Sequence, residues 1–262
     1  MKRTLISADI PQYPKEFHAF LRGADVYDSS CSPEARVIFI DRDGGYYLKR
    51  SPRGSLQKEA QLTRYFHAKG LATEVLEYIT TDPYDWLLTA RIRGEDCTHA
   101  DYLAQPERLA TLLGERLRAL HELPTDGCPV PDHTAHYLAT VESNYHTGNY
   151  DTSHFPDSFG YASAKEAYRV IEQGRHLLKA DTLLHGDYCL PNVMLDGWQF
   201  SGFIDLGNGG VGDRHVDLFW GAWTLNFNLH TEAYRDRFFD AYGRDRIEQA
   251  MLDLVAACEV FG

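Results

Sequence analysis

Between residues 35 and 90 short apolar runs alternate with turn residues, the pattern of a small antiparallel sheet. Ala35-Arg-Val-Ile-Phe-Ile40 and Tyr46-Tyr-Leu-Lys49 flank Asp41-Arg-Asp43-Gly-Gly45, so residues 35–50 read as a hairpin. Val75-Leu76-Glu-Tyr-Ile79 and Trp86-Leu-Leu-Thr89 read as a second pair around a Thr-Asp-Pro turn. Between the pairs, residues 55–69 carry apolar positions at helical spacing, which predicts a helix opening at Ser55 and ending before Gly70.

From Gly94 the period changes. Leu109, Leu112, Leu113, Leu117 and Leu120 form a helical stripe that predicts a core-facing helix over 107–122. Residues 124–160 are irregular, rich in Pro, His, Gly, Tyr and Asp, and only 134–142 suit a helix. A further helix is expected over 161–179, and others near 215–229, 231–242 and 244–260. Asn192-Val-Met-Leu195 and Phe200-Ser-Gly-Phe-Ile-Asp205 are apolar runs split by Asp196-Gly197, a strong hairpin-turn dipeptide. The pattern is α+β: a small β-rich part, residues 1–93, joined near 90–94 to a larger, mainly helical part, residues 94–262.

Charge adds an asymmetry. Residues 1–94 carry a net +2 and residues 95–262 a net −14, which together give the formal −12. Nucleic acid needs basic patches and is not an expected partner; a cationic ligand would be drawn to the acidic part. No run approaches the ~20 apolar residues of a membrane helix, and the N-terminus lacks the apolar core of a signal peptide. The five cysteines are scattered without CxxC spacing, so neither a disulfide framework nor a zinc site is expected. A cytoplasmic location is the expectation.

The chemistry concentrates in His185-Gly-Asp187-Tyr-Cys-Leu-Pro-Asn192, followed thirteen residues on by Ile204-Asp205-Leu206-Gly207. This is the order that phosphoryl transfer from a metal-bound nucleotide requires. A carboxylate accepts the substrate hydroxyl proton, and an amide and a second carboxylate hold magnesium. Asp187 is thus the candidate catalytic base, and Asn192 and Asp205 are the candidate metal ligands. The same template asks for a cation on the phosphates and a carboxylate to hold it; Lys49 at the end of a strand and Glu59 on the following helix fit. The stretch around Ser32 lacks the glycines of a GxGxxG loop and no GxxxxGK[ST] occurs anywhere, which disfavours a P-loop fold. No HxxxH or HxxEH pair suggests zinc.

HGDYCLPNVML, FSGFIDLG and GVGDRHVD, within residues 185–217, resemble the bacterial aminoglycoside phosphotransferases, and most closely the 3'-phosphotransferases that inactivate kanamycin-type drugs. Weaker similarity runs from about residue 27 to the C-terminus. The resemblance implies a protein-kinase-like two-lobe fold and transfer of the γ-phosphoryl group of ATP, with Mg2+, to an aminoglycoside hydroxyl, giving antibiotic resistance; GTP stays open as donor. It places Tyr47 on the adenine, Ala90 and Ile92 at its edge, and Ser32 in a short loop over the phosphates. His185 and Asp217 would brace the catalytic loop. For the cationic substrate it offers Glu259; the irregular insert itself offers Asp151 and Asp157, with no choice between them. Where the family has an acidic pair against the drug, this chain reads Asn226-Phe227-Asn228, and Asn208 stands where the family usually has Arg. Monomer and dimer are both compatible.

Other readings stay open. A kinase of the same fold could act on another hydroxylated antibiotic or metabolite. A nucleotide-binding regulator could lack catalysis, against which the retained Lys49, Glu59, Asp187, Asn192 and Asp205 argue. A metal-dependent hydrolase would lack the usual His ligands.

Overall fold

The computed structural model describes residues 3–31, 35–151 and 160–262. They form two compact units, one taking in the chain up to Cys97 with Pro191–Gly207, the other Thr98–Leu190 with Asn208–Gly262.

The first unit is built on an antiparallel sheet of β1 (Thr4–Ile6), β2 (Asp25–Asp28), β3 (Arg36–Asp41), β4 (Tyr46–Pro52), β5 (Val75–Thr80) and β6 (Tyr84–Ala90), in the order β1-β2-β3-β4-β6-β5. Both hairpins expected from the alternation are present, with Ile38 opposite Leu48 and Tyr78 opposite Leu87. The strand period of two divides the side chains cleanly. Ile38, Leu48 and Leu88 bury on one face against Phe17 and against Leu21 of α1 (His18–Leu21). Leu87 packs on the other face with Leu56 and with Ala60 of α2 (Gln57–Ala68). That second face also carries Lys49, because Lys49 pairs with Leu87. Strands β1 and β2 escape the sequence pattern: β1 has no buried residue and β2 has one, Val26.

Helix α2 begins at Gln57 rather than Ser55. The Ser55 hydroxyl donates back to the Pro52 carbonyl and caps nothing. The cap comes instead from Asp85 of β6, whose Oδ2 accepts from the Gly54 and Leu56 N–H groups at 2.8 and 3.2 Å and from the Tyr78 hydroxyl at 3.0 Å. A fully buried carboxylate thus fixes the start of the helix that carries Glu59. Asp85→Ala leaves these donors unsatisfied in the interior. It is expected to cost about 3 kcal/mol, read as a lower urea midpoint with unchanged slope; a loss below about 0.5 kcal/mol would remove Asp85 from this role.

β7 (Glu95–Asp96) pairs with Val193–Asp196, which pairs with Gln199–Phe203. The hairpin closes through Gly197 and Trp198, both at positive φ, as a two-residue turn of the twisted type requires. Gly94 has φ +89°, and a Cβ there would stand 1.9 Å from the Leu195 carbonyl oxygen, so only glycine lets the chain pass. The hairpin, placed by its position in the chain among residues 94–262, groups with the first unit.

The second unit is helical: α3 (Ala100–Leu103), α4 (Pro106–His121), α5 (His133–Thr147), α6 (Ala164–Gly174), α7 (His215–Leu229), α8 (Arg235–Tyr242) and α9 (Gln249–Glu259). Helix α7 has the limits its sequence predicts. Helices α6, α8 and α9 are shorter than expected: Ser163 caps α6 at the Glu166 N–H, α8 opens only at Arg235 and ends where expected, before Gly243 at φ +109°, and α9 opens at Gln249. Helix α5 runs past the expected 134–142 to the left-handed Gly148. A buried antiparallel pair, Thr182–Leu184 with Gly210–Gly212, precedes His185 and follows Asn208.

Candidate functional site

In the first unit, Lys49 is the centre. Its Nζ donates to Glu59 Oε2 and to Asp205 Oδ1, each at 2.8 Å. Strand β4 presents Lys49, α2 presents Glu59, and Asp205 follows the hairpin with φ +58°, a backbone setting an aspartate tolerates better than most residues. Burial opposes the charge on Lys49, but the two carboxylates outweigh it and raise its pKa, so it is a permanent cation. Burial raises the Glu59 pKa, and Lys49 offsets this only in part. Asn192, 7 % exposed, lines the same pocket as Lys49, Glu59 and Asp205. Its backbone carbonyl accepts from the Ile204 N–H at 3.0 Å, so the hairpin returns the chain to Asp205 as its length predicted. Amide and carboxylate oxygens are the donors a hard divalent cation takes. No group of three or more His, Cys, Asp or Glu side chains able to hold a metal occurs among the described residues.

Tyr47, Thr89, Ala90 and Ile92 line the other end of this pocket. The Tyr47 hydroxyl accepts from Arg3 at 2.7 Å and its ring lies 5.2 Å from that of Phe39. The Ala90 N–H is used by the Glu74 carbonyl, and the Ala90 carbonyl accepts from the Thr73 hydroxyl with one lone pair left over. The Ile92 N–H makes no backbone hydrogen bond among the described residues. This edge therefore offers an acceptor at Ala90 and a donor at Ile92. Ser32 lies outside the described residues.

In the second unit, the His185–Asp187 loop is held from behind by Asp217 of α7. Its two oxygens accept from the His185 and Gly186 N–H groups, both at 2.8 Å. Asp217 is fully buried, yet the bonds it accepts outweigh burial and lower its pKa. His121 of α4 continues the chain: Nε2 is 3.1 Å from Asp217 and Nδ1 is 2.9 Å from the Tyr242 hydroxyl. Burial lowers the His121 pKa, which fits a neutral ring donating to Asp217 and accepting from Tyr242. Gly186, at φ +83°, passes so close to Asn208 that a Cβ would lie 1.9 Å from its carbonyl oxygen. After the loop, the Leu190 N–H donates to Thr224 of α7 at 3.1 Å.

Glu259 sits at the end of α9, 9 % exposed, accepting from the Tyr137 hydroxyl at 2.7 Å and from the Trp220 side chain. Burial pushes its pKa up to about 7; the two hydrogen bonds oppose this and the charge of Asp187 adds to it. A carboxyl whose folded pKa is raised above its unfolded value of 4.5 loses stability as pH rises through that window. Glu259→Gln is therefore expected to be more stable than the parent by up to about 3 kcal/mol at pH 8 and equal to it at pH 4. Paired urea titrations at the two pH values check this; a pH-independent difference would contradict it. Asp151 is exposed beyond the end of α5, and Asp157 lies outside the described residues.

Sequence reading passed over Asp85, His121, Tyr242, Tyr137 and Trp220. Only His121 carried a signal, since it continues the buried face of α4 that Leu113, Leu117 and Leu120 define. A histidine at such a position needs a partner.

A sequence model described as the phosphotransferase enzyme family matches residues 32–253. A probable aminoglycoside 3'-phosphotransferase of Lactococcus lactis is 51% identical, over 97% of each chain. An aminoglycoside 3'-phosphotransferase of Streptomyces fradiae is 28% identical, over 92% of this chain and 93% of its own. Among solved structures, an aminoglycoside 3'-phosphotransferase of type VIII superposes with a TM-score of 0.74 at 22% identity, covering 96% of each chain. An aminoglycoside phosphotransferase from Streptomyces rimosus, solved with ADP and streptomycin, gives 0.69 at 21% identity, covering 85% of this chain and 90% of its own. Likeness of this degree establishes the protein-kinase-like fold. With a family match over most of its length and a relative half identical from end to end, this chain belongs to the phosphotransferase enzyme family of the aminoglycoside phosphotransferases.

Proposed function

We propose that the protein transfers the γ-phosphoryl group of ATP to a hydroxyl of an aminoglycoside, the 3'-OH of a kanamycin-type drug, and thereby protects its host. The observation that carries this reading is the pair of ion bonds from Lys49 to Glu59 and Asp205, in a pocket that Asn192 also lines. Asn192 and Asp205 would hold magnesium; two protein oxygens suffice for an ion that keeps waters and phosphate oxygens as its other ligands. The chemistry such an ion would supply there is neutralisation of phosphate charge.

Lys49, held by Glu59, would position the phosphates. Tyr47 stacks on the base. The Ala90 carbonyl and Ile92 N–H match the donor and acceptor on the pairing edge of adenine, N6–H and N1, whereas guanine presents the opposite order; this supports ATP over GTP. Asp187 orients the substrate hydroxyl and takes its proton late, since the transition state is loose. The bracing by Asp217 and His121 fixes the backbone of its loop.

The substrate reading rests on the names of the relatives, on the acidity of residues 95–262 and on the buried carboxylate of Glu259. Among the described residues no helix is long and apolar enough to cross a membrane, and the proposed place of action is the cytoplasm, as monomer or dimer. A second reading, another hydroxylated substrate, is favoured by Asn226-Phe227-Asn228 where the 3'-phosphotransferases carry acids. Growth of a susceptible host expressing the protein on kanamycin, neomycin and streptomycin separates the two. Protection against kanamycin and neomycin is expected; none against any of the three would sink the aminoglycoside reading.

A further inference from the structure

The loop that carries Asp187 folds back on itself within two residues. The Cys189 N–H donates to the Asp187 carbonyl at 2.8 Å, and Tyr188 between them is buried, its hydroxyl donating to the Leu113 carbonyl at 2.8 Å. With Tyr188 committed to the core, the side chains of Asp187 and Cys189 share the other side of the loop. There they meet: the Cys189 thiol is hydrogen-bonded to the Asp187 carboxylate and to the Thr224 hydroxyl of α7. The direction of each bond follows from donor counts. A hydroxyl has one proton and two lone pairs. Thr224 Oγ1 accepts from the Leu190 N–H at 3.1 Å and from the Asn228 amide at 3.2 Å, so both lone pairs are taken and its proton is left for the Cys189 sulfur. An ionised carboxylate has no proton to give, so the thiol donates to Asp187. Burial raises the pKa of that thiol and the charge of Asp187 adds to the rise, so it stays S–H, a donor and not a nucleophile.

We propose that Cys189 is a positioning residue for the catalytic base: its thiol, fixed by Thr224, holds one oxygen of the Asp187 carboxylate and turns the other toward the acceptor hydroxyl. This rests on the role proposed above for Asp187. The bracing by Asp217 fixes the backbone of the loop but leaves the carboxylate free to rotate about its side-chain bonds. A donor bonded to one oxygen removes that freedom, and a base aligned before the substrate arrives has less ordering left to do in the transition state. Sulfur suits the task because S–H is a weak donor. It orients the carboxylate while leaving most of the negative charge for the substrate proton, where a stronger donor would compete for it.

The test is Cys189→Ala, with Cys189→Ser as the conservative variant that keeps a donor. In Cys189→Ala, kcat for kanamycin is expected to fall about 5- to 20-fold, the loss of one hydrogen bond. KM for ATP and for kanamycin should stay within about twofold of the parent, since neither ligand loses a contact. Cys189→Ser is expected to return kcat to within about threefold of the parent. Unchanged kcat in Cys189→Ala, or no recovery with serine, overturns the proposal. So does a fall in kcat matched by a rise in KM for ATP, which would make the thiol a packing residue of the loop. The contact itself is read without turnover from the S–H stretch in the infrared, the Cys189 band being isolated by subtracting the Cys189→Ala spectrum. Asp187→Asn replaces a charged acceptor by a neutral one, so this band is expected to move to higher frequency. That shift supports the thiol–carboxylate bond even if kanamycin is not the acceptor, and a band indifferent to Asp187→Asn refutes it.

Discussion

Asp187→Asn is expected to lower kcat for the aminoglycoside by about 10²–10⁴-fold while the affinity for ATP changes by less than about twofold. The residue stands in a loop whose backbone is fixed by Asp217, itself fixed by His121 and Tyr242. Asparagine is nearly the same size, so the loop survives the change and only the proton-accepting oxygen is lost. Steady-state kinetics with a nucleotide-binding titration measure the two effects separately. A variant with near-normal kcat would remove Asp187 from its role as base. One that lost both turnover and ATP binding would show that the loop, not the carboxylate, had been disturbed.

Lys49→Ala is expected to reduce kcat/KM for ATP by about 10²–10³-fold. Lys49 is the cation shared by Glu59 and Asp205, and its removal takes a fixed positive charge from the place where phosphate oxygens gain negative charge. The change also strands Glu59, whose side chain is only 11% exposed. A buried carboxylate deprived of its partner costs about 3 kcal/mol. Stability and activity can be parted by the double variant Lys49→Ala, Glu59→Gln. Neutralising Glu59 should recover most of the lost stability in a urea titration and none of the lost activity. Recovery of activity in the double variant would mean that Lys49 serves the fold rather than the phosphates.

The candidate site was legible because its side chains are fixed by local spacing. Asn192 and Asp205 sit at the two ends of one hairpin, so an apolar–Asp-Gly–apolar pattern is enough to bring the chain back from one to the other. Lys49 and Glu59 sit ten residues apart on a strand and the next helix, close enough in sequence that packing α2 on the sheet brings them together. What stayed hidden is non-local. Asp85 caps α2 from a strand some thirty residues on, and its sequence context, within Tyr84-Asp-Trp, looks like any strand end. Tyr242 meets His121 across 121 residues of chain. Ser55, a good cap on paper, lost to a carboxylate that only the fold delivers. Glu259 was named only by resemblance; that its carboxyl is held by Tyr137 and Trp220 could not be read from Cys-Glu-Val-Phe.

The most direct measurement is identification of the reaction product. Purified protein, ATP, magnesium and kanamycin should yield ADP and a drug heavier by one phosphoryl group. Phosphorus-coupled NMR should place that group on the 3'-oxygen, with none formed by the Asp187→Asn protein. Kanamycin recovered unchanged, or ADP released equally with and without it, would contradict the account.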